Sequence, residues 1–289
     1  MRIIPRLDIK GSNLVKGIHL EGLRVLGKPE QFACRYYEEG ADELLYMDVV
    51  ASLYGRNSLL DIVARTAHDV FIPLTVGGGL RTPEDIRQVL RAGADKVSLN
   101  TAALRNPELV REAAQCFGSS TIVVSIEAVK RPDGRYEAYT DNGREPTGVD
   151  AIAWARQAVD LGAGELLVTS IDREGTGKGF DVELTRAIAQ AVPIPVIACG
   201  GAGRVSHASD VITEGHADAV CLASLLHYDM VKRLNEVNAC DEGNLEYLKS
   251  GRGFSTIQPA TLRQVKAFLL EQGIACRPAT PEIADVLHV

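Results

Sequence analysis

The chain has 289 residues, of which 46% are hydrophobic and 24% charged, and a formal net charge of −7. That length allows a full core within the size of one α/β barrel, and the acidic balance argues against a general nucleic-acid surface. The longest apolar runs are too short to cross a bilayer, and the start MRIIPRLDIK lacks the order of a signal peptide, so the chain reads as cytosolic, with neither membrane nor nucleic acid as partner.

In chain order, short apolar runs alternate with segments of helical periodicity. The runs are RIIPRLDI, ELLYMDVV, IPLTVGG, KVSLN, TIVVSIEA, ELLVTSID, IPVIACGG and AVCLAS. They are continuous rather than alternating, as in parallel strands buried on both faces, and segments such as TPEDIRQVLRAGA carry apolar residues at helical spacing. Eight such units predict one (β/α)8 TIM barrel domain over residues 1–289. A stretch over about 228–260 separates the eighth run from the last helical segment, TLRQVKAFLLEQGI. The six cysteines show no C-x-x-C pair and the six histidines no metal-ligand spacing. Reduced, mostly buried thiols and surface or loop histidines are expected, with no metal and no cofactor.

The chain also repeats itself. GADELLYMD at 40–48 matches GAGELLVTS at 162–170, so Glu43 and Glu165 lie 122 residues apart, as do Pro73 and Pro195. Asp95 and Asp218 are 123 apart, which places a one-residue gap in the glycine loop. Two half-barrels related by a two-fold axis explain this; an open doubly wound sheet does not.

Barrel enzymes bind at the carboxyl ends of their strands. VGGGLR and SLNTAA occupy those ends in the first half, CGGAGR and LASLL in the second. Glycines let backbone N–H groups approach an anion, and a helix starting at Asn100-Thr101 or Ala223-Ser224 aims its positive end at the same point. One such cluster could merely permit tight turns. Two in register predict a pair of phosphate cradles and an elongated substrate with a phosphate at each end. Asp8 and Glu127 end the first and fifth strands 119 residues apart, which suits an acid/base pair over the barrel centre.

RIIPRLDIKGSNLVKG, GADELLYMDVVAS, PLTVGGGLR, GADKVSLNTAA, GAGELLVTSIDREGTGKGFD and PVIACGGAG closely resemble the cyclase subunits of imidazole glycerol phosphate synthase, from histidine biosynthesis. The resemblance implies a lyase that takes ammonia from a partner glutaminase subunit, in a heterodimer, through the barrel. At the top, ammonia would react with a bis-phosphorylated formimino aminoimidazole carboxamide ribonucleotide, giving imidazole glycerol phosphate and an aminoimidazole carboxamide ribotide. It further implies that Asp8 is catalytic and that Lys16 belongs to a flexible active-site loop. By the same resemblance Gly79, Asn100, Thr101, Thr169, Gly175, Thr176, Gly201, Ala223 and Ser224 bind phosphate. Arg2, Glu43, Lys96 and Glu165 fall on an ammonia gate at the barrel bottom, and Asp95 on the contact with the glutaminase. Three residues depart from the family pattern: Glu127 and Glu174 stand where aspartate is usual, and Cys199 replaces a small hydroxyl residue; against the family's shorter link, the stretch over about 228–260 is an insertion. Two other readings compete. One is the sister sugar isomerase, which needs no ammonia; the other is a paralogue serving glycan sugar amidation as an ammonia conduit and partner-binding module.

Overall fold

The computed structural model describes residues 1–51, 59–237 and 256–279. Strand β1 (Arg2–Lys10) leads into an antiparallel hairpin, β2 (Asn13–Ile18) and β3 (Glu21–Gly27); β4 (Leu44–Asp48), β5 (Leu74–Gly77), β6 (Lys96–Leu99) and β7 (Ile122–Lys130) follow. A second hairpin, β8 (Tyr136–Thr140) and β9 (Glu145–Asp150), precedes β10 (Glu165–Ser170), β11 (Val196–Cys199) and β12 (Ala219–Leu222). The eight strands outside the hairpins are parallel, and pairing of β10 with β7 and of β12 with β1 closes them into a barrel. The α-helices among the described residues are α1 (Pro29–Glu38), α2 (Leu60–Asp69), α3 (Pro83–Arg91), α4 (Thr101–Arg105), α5 (Glu108–Phe117), α6 (Ala151–Asp160), α7 (Val182–Ala189), α8 (Ser206–Thr213), α9 (Ser224–Val237) and α10 (Leu262–Glu271). This is the (β/α)8 TIM barrel expected from the alternation of apolar runs.

Strand periodicity divides the core in two. On β1, Ile3, Leu7 and Ile9 face the helices, while Ile4 joins Leu45, Val123, Leu167 and Ile197 inside the barrel. Arg2, Arg6 and Asp8 share the parity of Ile4, so β1 carries three charged residues on its inward face.

The duplication is visible in single bonds. Leu44 N–H donates to the Pro73 carbonyl at 2.9 Å, and Leu166 N–H to that of Pro195 at 2.9 Å. The paired aspartates tie neighbouring strand starts together: Leu74 N–H donates to Asp95 Oδ2 at 2.8 Å, and Val196 N–H to Asp218 Oδ2 at 2.9 Å. Each of these carboxylates satisfies a backbone donor at a strand's entry, which is why the motif recurs.

Some expectations need correction. Of the five described cysteines, only Cys199 and Cys221 are buried; Cys34 and Cys276 are half-buried and Cys116 is exposed. His227 is neither surface nor loop: it is fully buried on α9. Its two ring nitrogens meet the Tyr36 hydroxyl at 2.7 Å and the Arg6 carbonyl at 2.8 Å, which makes burial affordable. Burial, with Lys16 nearby, lowers its pKa to about 4. Of the insertion, residues 228–237 continue α9, and 256–260 lead into α10; 238–255 lie outside the described residues. No described helix is long and apolar enough to cross a membrane.

Candidate active site

The carboxyl ends of the strands carry a buried cluster of charge. Asp8 is 3% exposed, and its Oδ1 accepts from Arg6 Nε at 2.7 Å. Lys16, on β2, reaches inward; its Nζ lies 3.9 Å from Asp8 Oδ2 and pairs with Glu174 Oε1. Burial lowers the pKa of both cations, but carboxylates outweigh it: Glu174 and then Asp8 raise that of Lys16, and Asp8 chiefly raises that of Arg6. Both stay protonated, so Asp8 is flanked by two positive groups.

Glu127 has a different environment. It is buried on β7 in register with Thr169, and its Oε2 has no partner among the described residues. Burial pushes its pKa up to about 7, against the pull of Arg6 and a backbone hydrogen bond with Gly143, while Asp8 and Cys199 push the same way as burial. Near neutrality this carboxyl can give or take a proton. Asp8 and Glu127, equivalent in the duplicated sequence, thus sit in unlike surroundings.

Lys16 is held in place by the turn beyond it. His19 and Leu20 form the two-residue turn between β2 and β3 at φ 50° and 63°. A turn of this kind prefers Asn-Gly because both central residues need positive φ. The histidine and leucine are fixed there from outside: His19 N–H donates to the Glu174 carbonyl at 3.0 Å, and Leu20 N–H to Glu174 Oε2 at 3.1 Å. The β8–β9 turn adds another tie, Asn142 Nδ2 donating to the Leu20 carbonyl at 3.2 Å. Glu174 therefore latches the hairpin by its main chain and by both carboxylate oxygens.

The glycine loops flank this cluster. Gly78 and Gly79 adopt φ of 99° and 72°, and Gly200 and Gly201 φ of 87° and 111°, the same left-handed pairs in both halves. A Cβ on Gly201 would lie 2.2 Å from the Gly179 carbonyl oxygen, so no larger residue fits. A cavity of about 260 Å³ joins the first loop to an acid: Gly79, Asn100, Thr101 and Arg105 line it together with Ser125 and Glu127. Asn100 precedes the short α4, with its Oδ1 unpartnered among the described residues, and Thr101 begins that helix. On the other side Gly201 accepts from Gly179 N–H at 2.8 Å, Gly175 and Thr176 lie in the facing loop, and Ser224 begins α9 just after Ala223. Residues 256–258 brace this second loop, with Thr256 Oγ1 donating to the Thr176 carbonyl at 2.8 Å and Gln258 N–H to the Gly203 carbonyl at 2.7 Å. Thr169 is fully enclosed beside Arg6 rather than on either loop.

At the opposite end, Arg2, Lys96 and Glu165 open β1, β6 and β10, and Glu43 immediately precedes β4. Arg2 Nη1 reaches Glu43 Oε1 at 2.6 Å and Glu165 Oε1 at 3.0 Å; Lys96 Nζ reaches Glu43 Oε2 at 3.2 Å and Glu165 Oε1 at 3.0 Å. Signs alternate around a closed ring. Beside it Asp95 is exposed, in a surface hollow with Phe71, itself 75% exposed.

Arg6 carries no motif that signals its role in the sequence. A basic residue within an apolar run reads as an interruption, yet it stands two positions before Asp8, and strand parity alone puts it on the same face. Glu174 was visible as a departure in length, but its hold on the hairpin was not.

The profile described as "Histidine biosynthesis protein" matches residues 2–232. The imidazole glycerol phosphate synthase subunit HisF of Legionella pneumophila is 60% identical over 205 residues, covering 71% of this chain and 97% of that protein. The subunit of the same name from Synechococcus sp. (strain CC9605) is 53% identical over 241 residues, covering 82% and 94% respectively.

Proposed function

Because the chain belongs to the histidine biosynthesis protein family, we infer that it is the cyclase subunit of imidazole glycerol phosphate synthase, a lyase that closes an imidazole ring with ammonia. The substrate is the bis-phosphorylated formimino aminoimidazole carboxamide ribonucleotide; the products are imidazole glycerol phosphate and aminoimidazole carboxamide ribotide. One observation carries this reading beyond family membership: a single cavity runs from the first glycine loop to the Glu127 carboxyl. A phosphate held by Gly79, Asn100 and Thr101 would leave the rest of the molecule leading toward the acids.

Each half then contributes an anchor and an acid. Gly175, Thr176, Gly201, Ala223 and Ser224 take the second phosphate, so the reacting middle lies between Asp8 and Glu127. Asp8, flanked by cations, serves as proton acceptor. Glu127, with its pKa raised to about 7, serves as donor. Lys16, on a latched hairpin, covers the mouth and keeps water from competing with ammonia. Ammonia comes from a glutaminase subunit docked against Asp95 and Phe71 on the bottom face, in the cytosol, and enters through the ring of Arg2, Glu43, Lys96 and Glu165. The word "subunit" in the relatives' names supports a partner of this kind. A bare conduit would have no use for the buried Asp8–Lys16–Glu174 cluster, whose desolvation is costly.

The test is to supply the purified chain with the bis-phosphorylated nucleotide and an ammonium salt and to follow absorbance and products. Release of both products supports the cyclase. Rearrangement of the ribosyl end alone would indicate an isomerase, and silence a conduit.

A further inference from the structure

The half-barrels match in their acids and differ just below them. Asp8 corresponds to Glu127 across the repeat, so Arg6 corresponds to Ser125. One half therefore has a hydroxyl where the other has a guanidinium. Arg6 is 3% exposed, and its head crosses the barrel: Nε donates to Asp8, while Nη1 lies 3.5 Å from Thr169 Oγ1 and 3.5 Å from Cys199 Sγ, on strands of the other half. Nη2 has no partner among the described residues. A buried guanidinium left with an idle nitrogen is expensive and is not explained by packing alone.

The contacts show what this residue changes. Asp8 Oδ1 is held by Arg6 and Oδ2 faces Lys16, so the plane of its carboxylate is set from two sides. Glu127 has no such grip on its Oε2. Acid–base work needs one of the two acids ionised and the other not, and Arg6 adds to Lys16 in setting Asp8 apart from Glu127.

We propose that Arg6 is a positioning residue for the cyclisation: bridging Asp8 to Thr169 and Cys199 across the barrel just beneath the two acids, it holds the Asp8 carboxylate as an oriented proton acceptor and thereby assigns unlike roles to Asp8 and Glu127. This rests on the cyclase reading. Arg6 transfers no proton itself; it acts through Asp8 and, electrostatically, through Glu127. The charged and polar groups that act most on Glu127 are Arg6, the backbone at Gly143, Asp8 and Cys199. Of these Arg6 is the cation, so its removal should raise the pH at which the Glu127 carboxyl ionises. Cys199 answers to the same charge: a hydrogen bond from Cys221 and then Arg6 draw its thiol below the usual range.

Arg6→Met, Arg6→Ser and Arg6→Lys should be compared with the wild-type chain, using the nucleotide and ammonium across the neutral pH range. Arg6→Met should lower kcat by about a hundredfold and leave the nucleotide KM within a few-fold, since the Arg6 guanidinium contacts Asp8, Thr169 and the strand-end Cys199 and none of the loop glycines. Its upper pH limb should move to higher pH, and Arg6→Lys should restore at least part of both rate and limb. Arg6→Ser copies the residue at the equivalent position of the other half; a normal melting profile for it separates loss of function from loss of fold. A folded Arg6→Met or Arg6→Ser variant with near-normal kcat, or with reduced kcat but an unmoved limb and no rescue by lysine, overturns the proposal. A wild-type chain that makes no product overturns the cyclase reading and this proposal with it, whereas an active wild type with an indifferent Arg6 overturns this proposal alone.

Discussion

Replacing Glu127 by glutamine should stabilise the protein at alkaline pH and leave it nearly unchanged at acid pH. The carboxyl is buried, and its pKa is raised from 4.5 to about 7. Below about pH 4.5 it is protonated in both folded and unfolded chains and adds no pH dependence. As pH rises, the unfolded chain releases the proton first while the folded chain keeps it, so stability falls with pH until the folded group also ionises near 7. At about 1.4 kcal/mol for each tenfold in acidity, the full penalty is about 3 kcal/mol. Glutamine carries no charge at any pH and escapes it. Urea unfolding of both proteins at about pH 5 and about pH 8 captures most of this quantity: the advantage of Glu127→Gln should grow by about 2 kcal/mol or a little more between them, or several degrees in Tm. Effects of packing cancel because they are the same at both pH values. The variant should also lose turnover. An advantage that stays flat with pH, or shrinks toward alkaline pH, would refute the reasoning.

Gly201→Ala places a Cβ 2.2 Å from the Gly179 carbonyl oxygen at φ 111°, so the second glycine loop must shift; the nucleotide KM should rise about tenfold or more, with the barrel still folded by circular dichroism. Lys96→Met leaves Glu43 and Glu165 facing each other with Arg2 as the remaining cation of the ring. Glutamine-driven turnover with the glutaminase should fall while turnover on added ammonium is kept, and equal losses in the two assays would argue against a gate. Glu174→Gln weakens the hold on Lys16 and Leu20; faster proteolysis within residues 16–21 and about a tenfold drop in kcat are expected.

The barrel strands were legible because strands buried on both faces need continuous apolar runs, and ELLYMDVV or IPVIACGG have few other uses. The hairpins were harder to see. Tyr136–Thr140 alternates buried and half-buried residues over five positions, and His19-Leu20 lacks the glycine that normally announces a two-residue turn. Long-range ties to Glu174, rather than local preference, make that turn possible. The glycine loops and strand-end acids could be read because they recur in register. Arg2, Glu43, Lys96 and Glu165 were found through family likeness, since nothing local says that four charges 163 residues apart in sequence from first to last will meet. Arg6 escaped because hydropathy treats arginine as a surface residue, whereas here a carboxylate two positions along the strand receives its charge.

The closed circuit at the base has a bearing on what can travel past it. Two positive and two negative heads sum to zero, so an ion arriving from below finds no surplus of the opposite sign to replace its hydration shell. An uncharged solute with a lone pair and several N–H bonds can exchange hydrogen bonds with each head in turn and gives up far less on leaving water. On the proposed reading of this ring as an entry for ammonia, traffic would be sorted by protonation state rather than by size, admitting the free base and turning back its conjugate acid.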